Sequence, residues 1–198
     1  MLPNQMRSRG YLPHLERQAA TYFVTFRLAD SLPESALRQI RRKQDSIANE
    51  DRHLSTQLEE YLDKGGGACH LRQPSVANLV AAGLRKFDGF RYELFAWCIM
   101  PNHIHVVLKP LPLNELARII HSWKSFTAHQ ANALLSRTGI FWQREYYDHL
   151  IRDGGQLKRA IRYTSENPRR AGLEHWPHVF VSPSAFRVID EDNEPHER

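Results

Sequence analysis

Two histidines one residue apart, His103 and His105, stand inside the stretch WCIMPNHIHVVLKP, residues 97–110, which otherwise reads as apolar strand. Side chains alternate across a strand, so both imidazoles face one side while Ile104 and Val106 face the other. The apolar pair can pack under helices and leave the imidazoles together on the open face. Neutral imidazole is a good ligand for a divalent metal, whereas two adjacent imidazolium ions repel. By itself the pattern leaves two readings, a metal-binding pair and an ordinary exposed pair.

Further along, Tyr163 and Asn167 lie four residues apart, hence on one face of a helix, and present a phenol and a carboxamide together. If that face meets the sheet at the histidines, the site holds two imidazoles, an amide oxygen, a metal and a hydroxyl nucleophile. A tyrosine with a pKa of about 10 is a poor nucleophile at neutral pH, and a nearby cation favours the phenolate. Taken alone, Tyr163 reads foremost as a buried tyrosine whose hydroxyl has found a partner.

These groups must be carried by elements. TYFVTFRL, residues 21–28, mixes aromatic and β-branched residues in near-alternation and predicts a strand. Pro33-Glu34 opens a helix whose pattern runs through Leu37, Ile40 and Ile47, and a second helix starts at Pro74-Ser75 with Val76, Leu79, Val80 and Leu84 as its apolar stripe. The strands Arg91 to Met100 and His103 to Leu108 are joined by the turn formers Pro101-Asn102, the pattern of a hairpin. A long amphipathic helix covers Leu113 to Leu135. The last runs from about Gln156 to Glu166, with Asp153 and Gln156 as a capping box and Pro168 as its stop. This order predicts an α+β fold, an antiparallel sheet backed by helices. It forms one domain over residues 1–185, followed by an acidic, mobile tail at 186–198.

At 198 residues the chain is about one domain long, and its 41% apolar and 25% charged content is that of a soluble globule. Its longest apolar run, Leu94 to Met100, is far short of the roughly 20 residues that span a bilayer, and the amino terminus has no apolar signal core. No membrane partner and a cytoplasmic location are expected. Cys69 and Cys98 cannot make a disulfide framework, and the net charge of +5 suits a polyanionic partner. KGGGACH, residues 64–70, has three consecutive glycines but no downstream Gly-Lys-Ser/Thr, so no nucleotide is assigned to it.

Three stretches taken in order, WCIMPNHIHVVLKP, FWQREYYDHLIRD and RYTSENPRRAGL, resemble the REP-associated tyrosine transposases, within the superfamily of single-tyrosine HUH transposases and nucleases. The likeness extends from Arg9 to Leu173. His103-Ile104-His105 matches that family's histidine, hydrophobic residue, histidine motif. Tyr163 matches the nucleophile four residues before an Asn-Pro, and Asn167 the carboxamide that supplies the third metal ligand. Thr164 and Arg169 depart from the aliphatic residue and the valine more common there, and neither position is a ligand. The resemblance implies a ferredoxin-like sheet, similar to that of an RNA-recognition motif. It implies Mg²⁺ or Mn²⁺ held by His103, His105 and Asn167, and a single-stranded or hairpin DNA substrate of the repetitive extragenic palindrome type. Tyr163 would form a 5′-phosphotyrosine and release a 3′-hydroxyl, in a monomer or homodimer.

Single strands are gripped by phosphate pairing and base stacking, which makes Lys124, Trp142, Arg144, Arg169 and Arg170 the candidate DNA contacts. Trp142 has core as its heavier alternative. Three rivals stand beside the transposase reading. One is a domesticated binding protein for structured DNA or RNA, one a zinc protein that adds Cys69 and His70 to the histidine pair, and one a metal-dependent hydrolase that uses water.

Overall fold

The computed structural model describes residues 20–32 and 61–190, together with two short strands, β1 (Gln5–Ser8) and β2 (Pro13–Glu16), which pair antiparallel with Met6 opposite Leu15. The helix expected after Pro33 lies outside the described residues. The main sheet contains β3 (Thr21–Arg27), β4 (Tyr92–Ile99), β5 (His103–Pro110), β6 (Tyr147–Ile151) and β7 (Val179–Val181), in the order β6-β3-β5-β4-β7. Every pairing is antiparallel. Among the described residues it is accompanied by the helices α1 (Pro74–Arg85), α2 (Leu116–Leu134), α3 (Gly154–Arg170) and α4 (Pro183–Asp190). The sequence β3-α1-β4-β5-α2-β6, with β3 and β5 central, is the ferredoxin-like arrangement, to which β7 adds an edge strand.

Strand alternation divides the apolar residues between two cores. Tyr22, Val24 and Phe26 of β3 and Ile104, Val106 and Leu108 of β5 pack against Val76, Val80 and Leu84 of α1 and Ile119, Ile120 and Trp123 of α2. On the other face, Phe23 and Val107 are covered by Ile161, Leu157 and Ala160 of α3 and Ala185 of α4. A bulge between Leu94 and Ala96 turns Phe95 and Ala96 together into this second layer. The histidine face is therefore not open, as the strand pattern alone suggested. Helix α3 lies across it, because its own apolar stripe needs a surface to bury.

The β4-β5 turn is held from outside as well as by its own Met100 N–H to His103 carbonyl bond (2.9 Å): the Asn102 carbonyl accepts from Leu28 N–H (2.8 Å) and the Pro101 carbonyl from Leu71 N–H (3.1 Å). Helix α3 begins as its cap predicts, with Asp153 Oδ1 accepting from Gln156 N–H at 2.7 Å, while Gln156 Oε1 accepts in return from Arg152 N–H. Its end differs from expectation. Pro168 lies inside the last turn and the helix runs to Arg170, where Gly172 at φ 72° and the Leu173 N–H to Pro168 carbonyl bond close it. A proline removes one N–H donor, and near a C-terminus the remaining bonds carry the turn. The chain is also helical over 186–190, where the sequence suggested a tail. Ser182 caps α4 through Ala185 N–H, and Ala185 is fully buried against the second core.

Tyr92 joins α1, α2 and the sheet: its hydroxyl donates to the Leu84 carbonyl (2.7 Å) and accepts from Trp123 Nε1 (2.9 Å). Tyr92→Phe strands a buried donor and a buried acceptor, and is expected to lower the unfolding free energy in urea by about 2–4 kcal/mol without altering the fold.

Candidate active site

His103 and His105 are both 0% exposed, and their Nε2 atoms lie 3.0 Å apart. Each outer nitrogen is held. His103 Nδ1 is 2.7 Å from Asn102 Oδ1, and His105 Nδ1 is 2.8 Å from Thr25 Oγ1, its neighbour on β3 through the Thr25–His105 register. Asn102 Nδ2 donates to the Gly66 carbonyl at 3.0 Å, which turns the amide oxygen toward His103 and places that ring's proton on Nδ1. The lone pair of His103 Nε2 then points at His105 Nε2. Thr25 can donate or accept, so His105 either donates its Nε2 proton to His103 or presents a second lone pair. A cation between the two nitrogens satisfies both lone pairs at once.

Burial holds both imidazoles neutral. It lowers His105 to about 3 and puts His103 well below the ordinary value, with His105 adding to the effect. Neutral rings are the ligand form, so the protein need not discharge a proton to bind a metal here.

Helix α3 brings Tyr163 and Asn167 to the same place. Tyr163 is half-buried, its ring edge-on to His105 with centroids 5.3 Å apart, and Phe23 stacks on His105 at 5.4 Å while meeting Tyr163 edge-on at 5.7 Å. Asn167, 1% exposed, donates from Nδ2 to the Tyr163 hydroxyl at 3.2 Å, while its Oδ1 is buried with no hydrogen-bond partner among the described residues. Arg170 lies 5.6 Å over the Tyr163 ring and also pairs with Glu166 at 3.4 Å. Thus His103, His105, Tyr163 and Asn167, up to 64 residues apart in sequence, meet in one cluster. No group of three or more His, Cys, Asp or Glu side chains gathers as a metal site among the described residues.

Sequence reasoning missed the supports. Asn102 read as a turn former, and Thr25 could be matched to His105 only through strand register. Asp63, whose buried Oδ1 is 3.8 Å from His103 Nε2, carried no signal beyond standing before the glycines; burial pushes its carboxyl up to about 6. The glycines serve close approach: a Cβ on Gly66 would lie 2.7 Å from the Ser31 carbonyl oxygen, and one on Gly67, at φ 82°, 2.5 Å from that of Asp30. Cys69 donates its thiol to the Gly65 carbonyl of its own loop, and His70 stacks on Phe141 of the segment before β6.

The candidate DNA contacts divide. Lys124 is committed to the Gln143 and Arg144 carbonyls at 2.6 and 2.7 Å, and burial lowers it to about 8. Trp142 is 4% exposed, donates to Thr127 Oγ1 and packs edge-on to Phe26, so it offers no face to a base. Arg144, Arg169 and Arg170 are exposed.

Residues 78–167 match the family described as "Transposase IS200 like", a span that runs from α1 to Asn167 and contains both histidines and Tyr163. A Haemophilus influenzae protein provisionally named REP-associated tyrosine transposase is 31% identical over 106 aligned positions, which take in 46% of this chain and 60% of that protein. The chain thus spans less than two thirds of this relative's length. Among solved structures, that of a REP-associated tyrosine transposase bound to a REP hairpin superposes with a TM-score of 0.51 at 17% identity, covering 88% of this chain and 81% of that one. A transposase candidate from Deinococcus radiodurans R1 gives 0.41 at 14% identity, over 81% of this chain and 98% of that one. The resemblance to the REP-associated tyrosine transposases is borne out, and the α+β, ferredoxin-like fold with it. No helix among the described residues is long and apolar enough to cross a membrane.

The neutral, buried histidines make stability depend on pH. Because the folded value of His105 lies below the unfolded 6.5, the unfolded chain takes up a proton that the folded chain refuses, and stability is lost as pH falls from about 6.5 toward 3. Urea unfolding in EDTA is expected to lose about 2 kcal/mol between pH 7 and pH 5 from His105. His103 adds in the same sense, whereas Asp63, raised in the fold, works in the opposite one. Asp63→Asn should therefore steepen the loss, and a flat profile in that variant would contradict neutral imidazoles.

Proposed function

We propose that this chain is a transposase that nicks and rejoins single-stranded DNA beside hairpin-forming repeats through a 5′-phosphotyrosine, with residues 1–185 as its single domain. The observation that carries the reading is the meeting of Tyr163 with two neutral, converging imidazoles and an unpartnered carboxamide oxygen. The relatives' names, and the hairpin bound by the solved neighbour, support the choice of substrate.

The donor set fits a divalent ion: His103 Nε2, His105 Nε2 and Asn167 Oδ1 would hold it, with Mg²⁺ or Mn²⁺ favoured by the oxygen ligand and by phosphate chemistry. Such an ion supplies polarisation of the scissile phosphate and charge stabilisation at it. The chain supplies the rest. Asn102 and Thr25 fix the two rings, and Phe23 limits the movement of His105 by stacking. Helix α3 carries the nucleophile and the carboxamide on one rigid face, so their spacing is set before DNA arrives. Tyr163 Oη gives up its proton and forms the bond to phosphorus. The bond from phosphorus to the 3′-oxygen breaks, and that oxygen leaves with a proton as a free 3′-hydroxyl. The phosphotyrosine keeps the ester, so a second 3′-hydroxyl can displace Tyr163 without ATP. Arg144, Arg169 and Arg170 are the cations placed to pair with the strand.

The reading is tested by incubating the protein with labelled single-stranded hairpin DNA from the repeats beside its own gene and Mn²⁺ or chelator, then running a denaturing gel. A metal-dependent, covalently shifted band is expected, abolished in Tyr163→Phe with DNA affinity nearly unchanged. Equal adduct from that variant transfers the role to Tyr146 or Tyr147. Cleaved DNA without attached protein indicates hydrolysis by water, and binding without adduct or cleavage indicates a domesticated binding protein. Replacing Arg169 and Arg170 together by alanine should weaken DNA binding and reduce the slope of log affinity against log salt by about 2.

A further inference from the structure

A divalent ion at the histidine pair, as proposed above, meets three neutral donors in a pocket whose histidines are 0% exposed and whose Asn167 is 1% exposed. Neutral donors leave the full double charge in a desolvated place, which is costly unless an anion shares it. Asp63 is the acidic side chain against the pair, with Oδ1 3.8 Å from His103 Nε2. That is too long for a hydrogen bond, and it leaves the carboxylate facing the ring nitrogen across a gap wider than the roughly 3 Å that separates adjacent ligands of one ion. The same Oδ1 is buried and has no hydrogen-bond partner among the described residues, as is true of Asn167 Oδ1. Two orphaned oxygens therefore occur at this cluster, one on Asp63 beside His103 and one on Asn167, which is hydrogen-bonded to the Tyr163 that packs on His105.

The position of Asp63 is built. It lies in a helical turn whose Leu62 is 1% exposed, and the Gly65 N–H closes that turn on the Leu62 carbonyl at 3.0 Å. The chain then passes under Asp30 and Ser31 at Gly66 and Gly67, where a Cβ would not fit, and the Gly66 carbonyl is the group that orients Asn102. One stretch, 62–67, thus sets both the carboxylate and, through Asn102, the tautomer of His103. Asp63 stands outside residues 78–167, the span that matches the transposase family, and its role is not part of that likeness.

We infer that Asp63 is the anionic partner of the divalent ion at the His103, His105 and Asn167 site, facing it through one metal-bound water, and that it sets the site's preference for hard ions. This rests on the metal-site reading above. A carboxylate strengthens binding of Mg²⁺ and Mn²⁺ far more than that of Ni²⁺, for which imidazole dominates.

The test is metal binding by the full chain without DNA. EDTA-stripped wild type, Asp63→Asn, Asp63→Ala and His105→Ala are titrated at pH 7.5 with Mn²⁺, followed by loss of the free-ion paramagnetic resonance signal, and separately with Ni²⁺ by calorimetry. Circular dichroism checks each fold. The inference expects Mn²⁺ affinity to fall tenfold or more in both Asp63 variants and Ni²⁺ affinity to change less than threefold, with both lost in His105→Ala. Wild-type Mn²⁺ affinity in a folded Asp63→Asn or Asp63→Ala, while His105→Ala loses binding, overturns the role of Asp63 and leaves the metal site standing. Equal loss for Mn²⁺ and Ni²⁺ overturns the preference for hard ions. Absence of Mn²⁺ binding by wild type overturns both.

Discussion

Two imidazoles buried beside one another are an unusual thing for a protein core to accept, and much of this structure serves to make them acceptable. With Nε2 atoms 3.0 Å apart and no solvent, neither ring can be charged without heavy cost, and their lone pairs cannot face each other unopposed. The protein meets the first condition by burial itself, which holds both rings neutral. It meets the second by fixing the outer nitrogens with Asn102 and Thr25, leaving the inner ones to share a proton or a cation. The arrangement is a constraint on tautomer and orientation before it is a binding site.

The constraint reaches outward through the backbone. Asn102 can direct its oxygen at His103 because the Gly66 carbonyl takes its nitrogen, and Gly66 can stand there because it has no Cβ to strike Ser31. Thr25 meets His105 because β3 and β5 pair in a register that also buries Val24 against Val106 in the opposite layer. A shift of one residue would send the histidines into the helical core and bring Ile104 and Val106 to the site. Strand register is therefore under two demands at once, an apolar core on one face and a polar cluster on the other.

Helix α3 completes the cluster and also closes it. Its apolar residues Leu157, Ala160 and Ile161 seat it on the second face of the sheet, and the same docking delivers Tyr163 and Asn167. Pro168 in its last turn, followed by Gly172, ends it just beyond Asn167 and leaves Arg169 and Arg170 exposed beside the site. Lys124 and Trp142, which composition alone made plausible DNA contacts, are instead used to bind α2 to the segment before β6 and to the core.

Local pattern was enough to read β3, the β4-β5 hairpin, the capped start of α3 and the α+β class, because each depends on periodicity or turn chemistry within a few residues, whereas β1, β2 and β7 were not foreseen. The motifs also brought His103, His105, Tyr163 and Asn167 into one hypothesis, since His-x-His places two rings on one face and a spacing of four does the same on a helix. What local pattern could not decide was whether the face they share is open or covered, since burial depends on which helix docks where. The partners Thr25, Asn102 and Asp63 were likewise out of reach, because strand register and the close passage of residues 62–67 join positions that sequence keeps 36 to 80 apart. The sequence by itself determined the donor types and their local faces, through the periods of strand and helix. Only the tertiary structure decided their protonation, orientation and seclusion, which come from groups distant in the chain excluding water from the same few cubic ångströms.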